Sequence, residues 1–117
     1  MTDKIKRGRE GEDLAKDFLE KKGFRLLTRN YRYKKSEIDL IVSRENWLIY
    51  VEVKTRTSTA FGFPEDFVDH KKRKKIFEGA LQHMIETDWP GNVRFDIVAV
   101  DLSGPVPSIH HIEDAFY

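Results

Sequence analysis

Two short segments constrain the fold more than anything else in the chain. They are Glu37–Val42 (EIDLIV) and Leu48–Lys54 (LIYVEVK), separated only by the polar run SRENW. Parallel neighbours need a crossover of roughly a dozen residues, so these two must pair as an antiparallel hairpin. Centring the turn between Glu45 and Asn46 sets Ile41 opposite Tyr50, Asp39 opposite Glu52 and Glu37 opposite Lys54. The other face then carries Ile38, Leu40, Val42, Ile49, Val51 and Val53. That unbroken apolar set requires a core and pins the register, because a one-residue slip would turn it to solvent.

The polar face is where chemistry can sit. Directly opposed side chains have Cβ atoms about 5 Å apart, so Asp39 and Glu52 would face each other beside Lys54. Two such carboxylates repel, which raises one pKa or weakens the strand pair unless a cation lies between them. Mg²⁺ or Mn²⁺ suits the position, since both accept carboxylate oxygens together with water and phosphate oxygens. A lysine on the same face can stabilise charge on a transferring phosphoryl group or position an attacking water. The same alternation also fits a solvated hairpin face on which Lys54 pairs with Glu37 or Glu52.

Around this hairpin the periodicity predicts a helix over 9–22, with Leu14, Ala15, Phe18 and Leu19 on one face and Gly23 as its stop. Glu12 borders that apolar face near the helix start, where it could reach a metal held on the sheet. The helix dipole alone also favours an acidic residue there. Phe24–Tyr33 reads as extended and residues 55–65 as a loop that could be mobile. A second helix is predicted over 67–86, with Ile76, Phe77, Ala80, Leu81, Met84 and Ile85 as its apolar face. Strands follow at 93–101 and 109–112, and the closing residues AFY tuck against the body. The order α-β-β-β-α-β-β predicts an α/β layer fold, a mixed sheet of about five strands with helices packed on it. At 117 residues the size prior is one domain. No glycine-rich strand-to-helix turn marks a dinucleotide site. The absence of cysteine excludes disulfides and thiolate-bound metals. No apolar run approaches the roughly 18 residues of a membrane span, and no signal peptide opens the chain, so a cytoplasmic protein is expected.

The formal net charge of +1 hides a split. Residues 1–75 hold 20 of the 21 Lys and Arg against 13 Asp and Glu, whereas residues 76–117 hold 1 against 7. Candidate phosphate contacts are Arg7 and Arg9 at the first helix, Arg32, Lys34 and Lys35 before Glu37, and Lys71, Lys72, Lys74 and Lys75 at the second helix. On a helix Lys71 and Lys75 share a face, while Lys72 lies near Ile76 and points inward across the sheet. A basic tract at a helix N-terminus opposes the dipole, which favours a functional role for it. Arg56 lies one strand period beyond Lys54. Tyr31, Tyr33, Phe61 and Phe63 are candidates for stacking on bases. Adjacent His110 and His111 point to opposite sides and make a poor joint metal site. Asp96 reads as structural, and His83 as an exposed or packing residue.

A further set of residues carries a resemblance. Gly8-Arg9-Glu10-Gly11-Glu12, Gly23, Asn30-Tyr31-Arg32, Ser36-Glu37-Ile38-Asp39-Leu40-Ile41 and Val51-Glu52-Val53-Lys54-Thr55-Arg56 occur in order. Lys72, Ala80 and Arg94-Phe95-Asp96-Ile97-Val98-Ala99-Val100 follow. Together they resemble the YraN-like family (UPF0102), whose members are similar to archaeal Holliday junction resolvases and restriction endonuclease-like PD-(D/E)xK nucleases. The resemblance covers nearly the whole chain and implies a restriction endonuclease-like core. It implies Asp39 and Glu52 as metal ligands, Glu12 as a direct or water-mediated ligand and Lys54 as the catalytic lysine, with Glu37 and Arg56 in support. It further implies Mg²⁺ or Mn²⁺ as cofactor, a DNA partner (RNA as the alternative), branched or damaged DNA as substrate, and a two-fold homodimer. Two departures stand out: Ile38 occupies the place of the motif's proline, and Ser36 that of the family's usual glycine. Alternatives on the same fold are a non-catalytic nucleic-acid-binding module and a small self-associating protein.

Overall fold

Seven elements run in the order α1 (Asp3–Lys21), β1 (Arg25–Tyr33), β2 (Ser36–Arg44), β3 (Trp47–Arg56), α2 (His70–Thr87), β4 (Asn92–Asp101) and β5 (Ser108–Ile112). They come from a computed structural model that describes residues 3–57 and 68–116, and only the backbone within 3–7. The loop expected over 55–65 and the aromatics Phe61 and Phe63 therefore fall mostly or wholly outside the described residues. The five strands form one mixed sheet in sequence order. β1–β2 and β2–β3 are antiparallel, β3–β4 parallel and β4–β5 antiparallel. The single parallel step is where α2 crosses over, as parallel neighbours require.

The helices lie on opposite faces of the sheet. Ala15 and Leu19 of α1 pack on Leu40, Val42, Ile49, Val51, Val98 and Val100. Ile76 and Ala80 of α2 pack on Ile41, Tyr50, Phe95 and Ile97, and Phe116 closes that layer. With both faces covered, β3 and β4 read as nearly continuous apolar runs. α1 starts six residues before the predicted 9–22, because KIKRGRE offers no apolar stripe to reveal helix. It ends at Gly23, whose φ of 97° suits the left-handed position of a helix C-terminus. The N–H groups of Gly23 and Phe24 bond back to the Glu20 and Leu19 carbonyls.

The hairpin register matches the expectation where the strands pair. Ile41 faces Tyr50, and Arg44 and Trp47 flank a two-residue turn at Glu45 and Asn46. The expectation fails beyond Leu40–Val51, the last pair of the β2–β3 ladder. The Asp39 carboxylate accepts the Val53 N–H at 2.8 Å, so a side chain stands in for the missing strand contact. Alternation slips at this point. Ile38 joins the α2-side core with Ile41 instead of lying beside Leu40 and Val42, and Glu37 is not set opposite Lys54 in the ladder.

The apolar face expected for α2 also needs correction. Ile76, Gly79, Ala80 and His83 are the buried positions, while Phe77, Leu81 and Ile85 are exposed. His83 is buried through ring contacts with Tyr31 and Tyr50 and a 2.9 Å bond between its Nδ1 and the Tyr50 hydroxyl. Asp69 caps the helix by accepting the Lys72 N–H. Ser36 has a structural reason: it is buried and its hydroxyl donates to the Lys75 carbonyl at 2.6 Å. Opposite it, a Cβ on Gly79 would come 3.1 Å from the Ser36 Cβ, so the helix crosses β2 closely.

Asp96 holds the far end of the sheet. Fully buried, it accepts two bonds from Arg94, one from the Asp114 N–H, and pairs with His111 Nε2 at 2.7 Å. Burial works to raise its pKa, but the His111 and Arg94 bonds outweigh it and hold the carboxyl below its ordinary value.

Candidate functional site

Where the β2–β3 ladder stops, a cleft of about 450 Å³ opens beside the first half of α2. Asp39 and Glu52 line it from the strands, with Lys35 and Glu37 at one side and Asp69, Lys71, Lys72 and Lys75 from the helix. The unpaired end of the hairpin thus turns a strand-pairing defect into a pocket. Glu52 is only 4% exposed. Asp39 is pushed up to about 7, first by burial and then by the neighbouring charge of Glu52, with Glu12 adding to it. The Val53 N–H and Lys72 work the other way. A buried carboxyl raised in this manner is short of positive charge.

Two lysines flank Glu52. Lys72 Nζ lies 2.7 Å from its Oε1 and Lys54 Nζ lies 3.5 Å from the same atom. Their environments separate them. Burial lowers the Lys54 pKa, and the adjacent Lys72 charge adds to this against the pull of Glu52. Burial also works against the Lys72 ammonium, but Glu52 and its hydrogen bonds outweigh that and hold it above its ordinary value. Lys72 therefore reaches inward as its phase with Ile76 predicts, and it is the more firmly charged of the two.

Glu12 approaches from α1. The approach is possible because residue 11 is glycine: a Cβ there would lie 2.9 Å from both Thr55 Cβ and Cγ2 and would overlap Thr55 Oγ1. Glu12 Oε1 accepts from Arg29 Nε and Nη2 at 3.1 and 3.0 Å and from Asn30 Nδ2 at 3.1 Å. Asn30 adopts φ 52°, a left-handed position that an asparagine tolerates. It stands in β1 opposite Asp39, where the β1–β2 pairing has a gap. Arg29 and Asn30 are thus part of the site, and reasoning from patterns gave them no such role. The available signals were an Asn inside an otherwise bulky and basic strand and its place in the Asn30-Tyr31-Arg32 segment of the family pattern.

Most of the other expected residues lie elsewhere. Glu37, exposed, lines the cleft and pairs with Arg32 at 3.1 Å. Arg56 pairs with Asp101 of β4 at 3.6 Å, tying the basic part of the chain to its acidic tail. Arg9 is exposed two turns into α1, and the Arg7 side chain lies outside the described residues. Lys34 lies over the Tyr33 ring in the β1–β2 turn. Lys74 is exposed and, unlike Lys71, Lys72 and Lys75, does not line the cleft.

A divalent cation fits part of this donor set. Mg²⁺ often binds through one or two carboxylates and keeps several waters, which matches Asp39, whose pKa is raised by burial and by the neighbouring Glu52, together with Glu52, whose present counter-charges are lysines. Among the described residues no three acidic or histidine side chains converge as a ready cage. Glu12 Oε1 is already committed to Arg29 and Asn30, which favours a water-mediated role over direct ligation. No helix among the described residues is long and apolar enough to cross a membrane.

Comparison with known proteins agrees in extent with this geometry. A UPF0102 protein of Flavobacterium psychrophilum is 44% identical over 110 residues, covering 94% of this chain and 92% of the relative. One from Flavobacterium johnsoniae is 44% identical over 121 aligned positions, covering 100% and 98%. One from Rhodococcus opacus is 39% identical over 119, covering 99% and 100%. The family model described as Uncharacterised protein family UPF0102 matches residues 11–100, which include Glu12, Asp39, Glu52, Lys54 and Lys72. On this match and these near full-length relatives, the chain belongs to UPF0102.

Proposed function

We propose that the protein is a divalent-metal-dependent endonuclease acting on DNA, with branched or damaged structures as the substrate class. The observation that carries the reading is the neighbouring pair of carboxylates, half-buried Asp39 and buried Glu52, in a cleft that Lys35, Lys71, Lys72 and Lys75 also line. Such a cleft repels a phosphodiester unless its carboxylates are neutralised, and its lysines attract one. Asp39 and Glu52 would hold Mg²⁺ or Mn²⁺, with Glu12 bound through water. When present, the cation would polarise the phosphodiester and lower the pKa of bound water. Lys54, with its ammonium disfavoured by burial, is suited to accept the proton of an attacking water. Lys72, held charged, is suited to a phosphate oxygen once it leaves Glu52.

A second reading is favoured by one observation. Lys72 already satisfies Glu52, and Arg29 with Asn30 already satisfies Glu12. A site that balances its own charges could grip phosphates without cleaving them. A cleavage panel of linear, flapped and four-way DNA, with Mg²⁺ and with Mn²⁺, separates the two. The nuclease reading expects cutting that is lost in Lys54→Ala while DNA binding persists. Salt-dependent binding with no cutting of any substrate would favour the binding module.

A further inference from the structure

Glu52 is held by two lysines of unequal freedom. Its Oε1 accepts from Lys72 Nζ at 2.7 Å and lies 3.5 Å from Lys54 Nζ. Both lone pairs of that oxygen are then engaged. Lys54 stands two residues away on the same strand, and its side chain is 23% exposed. Lys72 reaches across from α2, and its side chain is 42% exposed. Lys72 makes the shorter contact and is also the one with room to leave.

The place of Lys72 on the helix gives it a second possible partner. It is the third residue of α2, where an ammonium opposes the helix dipole. No acidic residue stands in that first turn to offset this. The compensation comes from the ion pair with Glu52, and the same ammonium favours the Asp39 carboxylate. Asp69 accepts the Lys72 N–H and fixes its backbone, so only the flexible four-carbon stem has to swing. Lys71 and Lys75 line the same cleft from the same helix, and Lys75 is the i+3 neighbour of Lys72. A phosphate drawn to them comes within reach of Lys72.

We propose that Lys72 is an exchangeable counter-ion, which closes Glu52 to metal in the protein alone and passes to a backbone phosphate when DNA enters the cleft. The proposal rests on the reading of Asp39 and Glu52 as the metal-holding pair. A divalent cation taking up Glu52 meets the Lys72 ammonium, and like charges in a partly buried cleft repel. Once a phosphate holds Lys72, that repulsion falls and the Glu52 oxygen is released. Phosphate binding and metal binding then favour each other, each by the same factor. The internal charge balance of the cleft is on this account a resting state, and metal loading awaits the nucleic acid.

Two equilibria on the full chain, each with one ligand, test this, with circular dichroism confirming that each variant is folded. In Mn²⁺ calorimetry without DNA, Lys72→Gln should bind about tenfold or more tighter than wild type. Lys71→Gln and Lys75→Gln remove the same charge from the same cleft and should stay within about threefold of wild type. Fluorescence anisotropy of a labelled DNA duplex, with chelator present, gives the other equilibrium. Glu52→Gln should bind the duplex about threefold or more tighter than wild type, because Lys72 is released to phosphate. In the Lys72→Gln background the same exchange at Glu52 should change affinity by less than about twofold. Where Lys72→Gln does not fold, Lys72→Met, which keeps the apolar stem, takes its place. Three results would each overturn the exchange and leave the metal pair standing: equal Mn²⁺ affinity in wild type and the Lys72 variant, an equal gain in the Lys71 and Lys75 variants, or a Glu52→Gln effect on DNA that persists without Lys72. Mn²⁺ binding by none of these proteins, or no binding of the duplex, would overturn the reading of the cleft along with it.

Discussion

Replacing Asp39 by Asn in the absence of metal should stabilise the protein at alkaline pH. The Asp39 carboxyl is raised from 3.8 to about 7 in the folded state by burial and by Glu52. A folded pKa above the unfolded one means the fold favours the protonated form. The stability this contributes is fully present below about pH 4 and is lost as pH rises through about 7. Roughly three pH units at about 1.4 kcal/mol each set a ceiling of about 4 kcal/mol. Asn has nearly the same shape, carries no charge, and keeps an oxygen for the Val53 N–H. Lys72 loses one favourable neighbour in the exchange, so the net gain should fall between about 1 and 4 kcal/mol. Urea denaturation with chelator present, followed by circular dichroism from about pH 4 to pH 8, measures it. The Asp39→Asn variant should match wild type near pH 4, exceed it progressively between about pH 4 and pH 7, and hold a constant advantage above that. A variant that is less stable than wild type at about pH 8, or a difference that does not change with pH, would refute the claim that this carboxylate is buried without enough counter-charge.

Three other perturbations test the surroundings. Gly11→Ala forces a methyl into Thr55 and should cost about 1–3 kcal/mol in denaturation while displacing Glu12, seen as weaker metal binding; an unchanged midpoint would mean the helix does not press on β3. Asn30→Gly keeps the left-handed backbone but removes one hydrogen bond from Glu12. Stability should change little, within about 1 kcal/mol, while any metal-dependent activity falls; equal activity would remove Asn30 from the site. Arg94→Met leaves buried Asp96 with only His111 and the Asp114 N–H and should cost about 3 kcal/mol or more. A loss below about 0.5 kcal/mol would show that the carboxylate is not held by its arginine.

The parts of the fold legible in the sequence were those set by local periodicity. The hairpin register followed from an apolar face that admits one alignment, and the inward turn of Lys72 followed from its phase with Ile76. The slip at Asp39 was hidden because it arises when a side chain replaces a ladder contact, which leaves no mark in the alternation. The wide apolar arc from Ile76 to Ile85 looked like a single core face. The sheet contacts only the part near Gly79 and His83, a small and a polar residue that carry no hydrophobic signal. At the site, Asp39, Glu52 and Lys54 stood out by strand spacing and family pattern. The grip of Arg29 and Asn30 on Glu12 did not, because it depends on how closely α1 approaches β3. Asp96 read as structural from its place in an apolar strand, but its partners His111 and Asp114 come from the far end of the chain.

The most direct test of the acidic cleft is a calorimetric titration of Mn²⁺ near pH 6.5, run in buffers of different ionisation enthalpy to count protons. Saturable binding with release of a proton is expected, because Asp39 must ionise to bind the cation. Asp39→Asn and Glu52→Gln should each weaken binding about tenfold or more, and the double variant should abolish it. Mn²⁺ binding of undiminished strength in the double variant, or binding to wild type with no proton released, would contradict the assignment of Asp39 and Glu52 as the metal-holding pair.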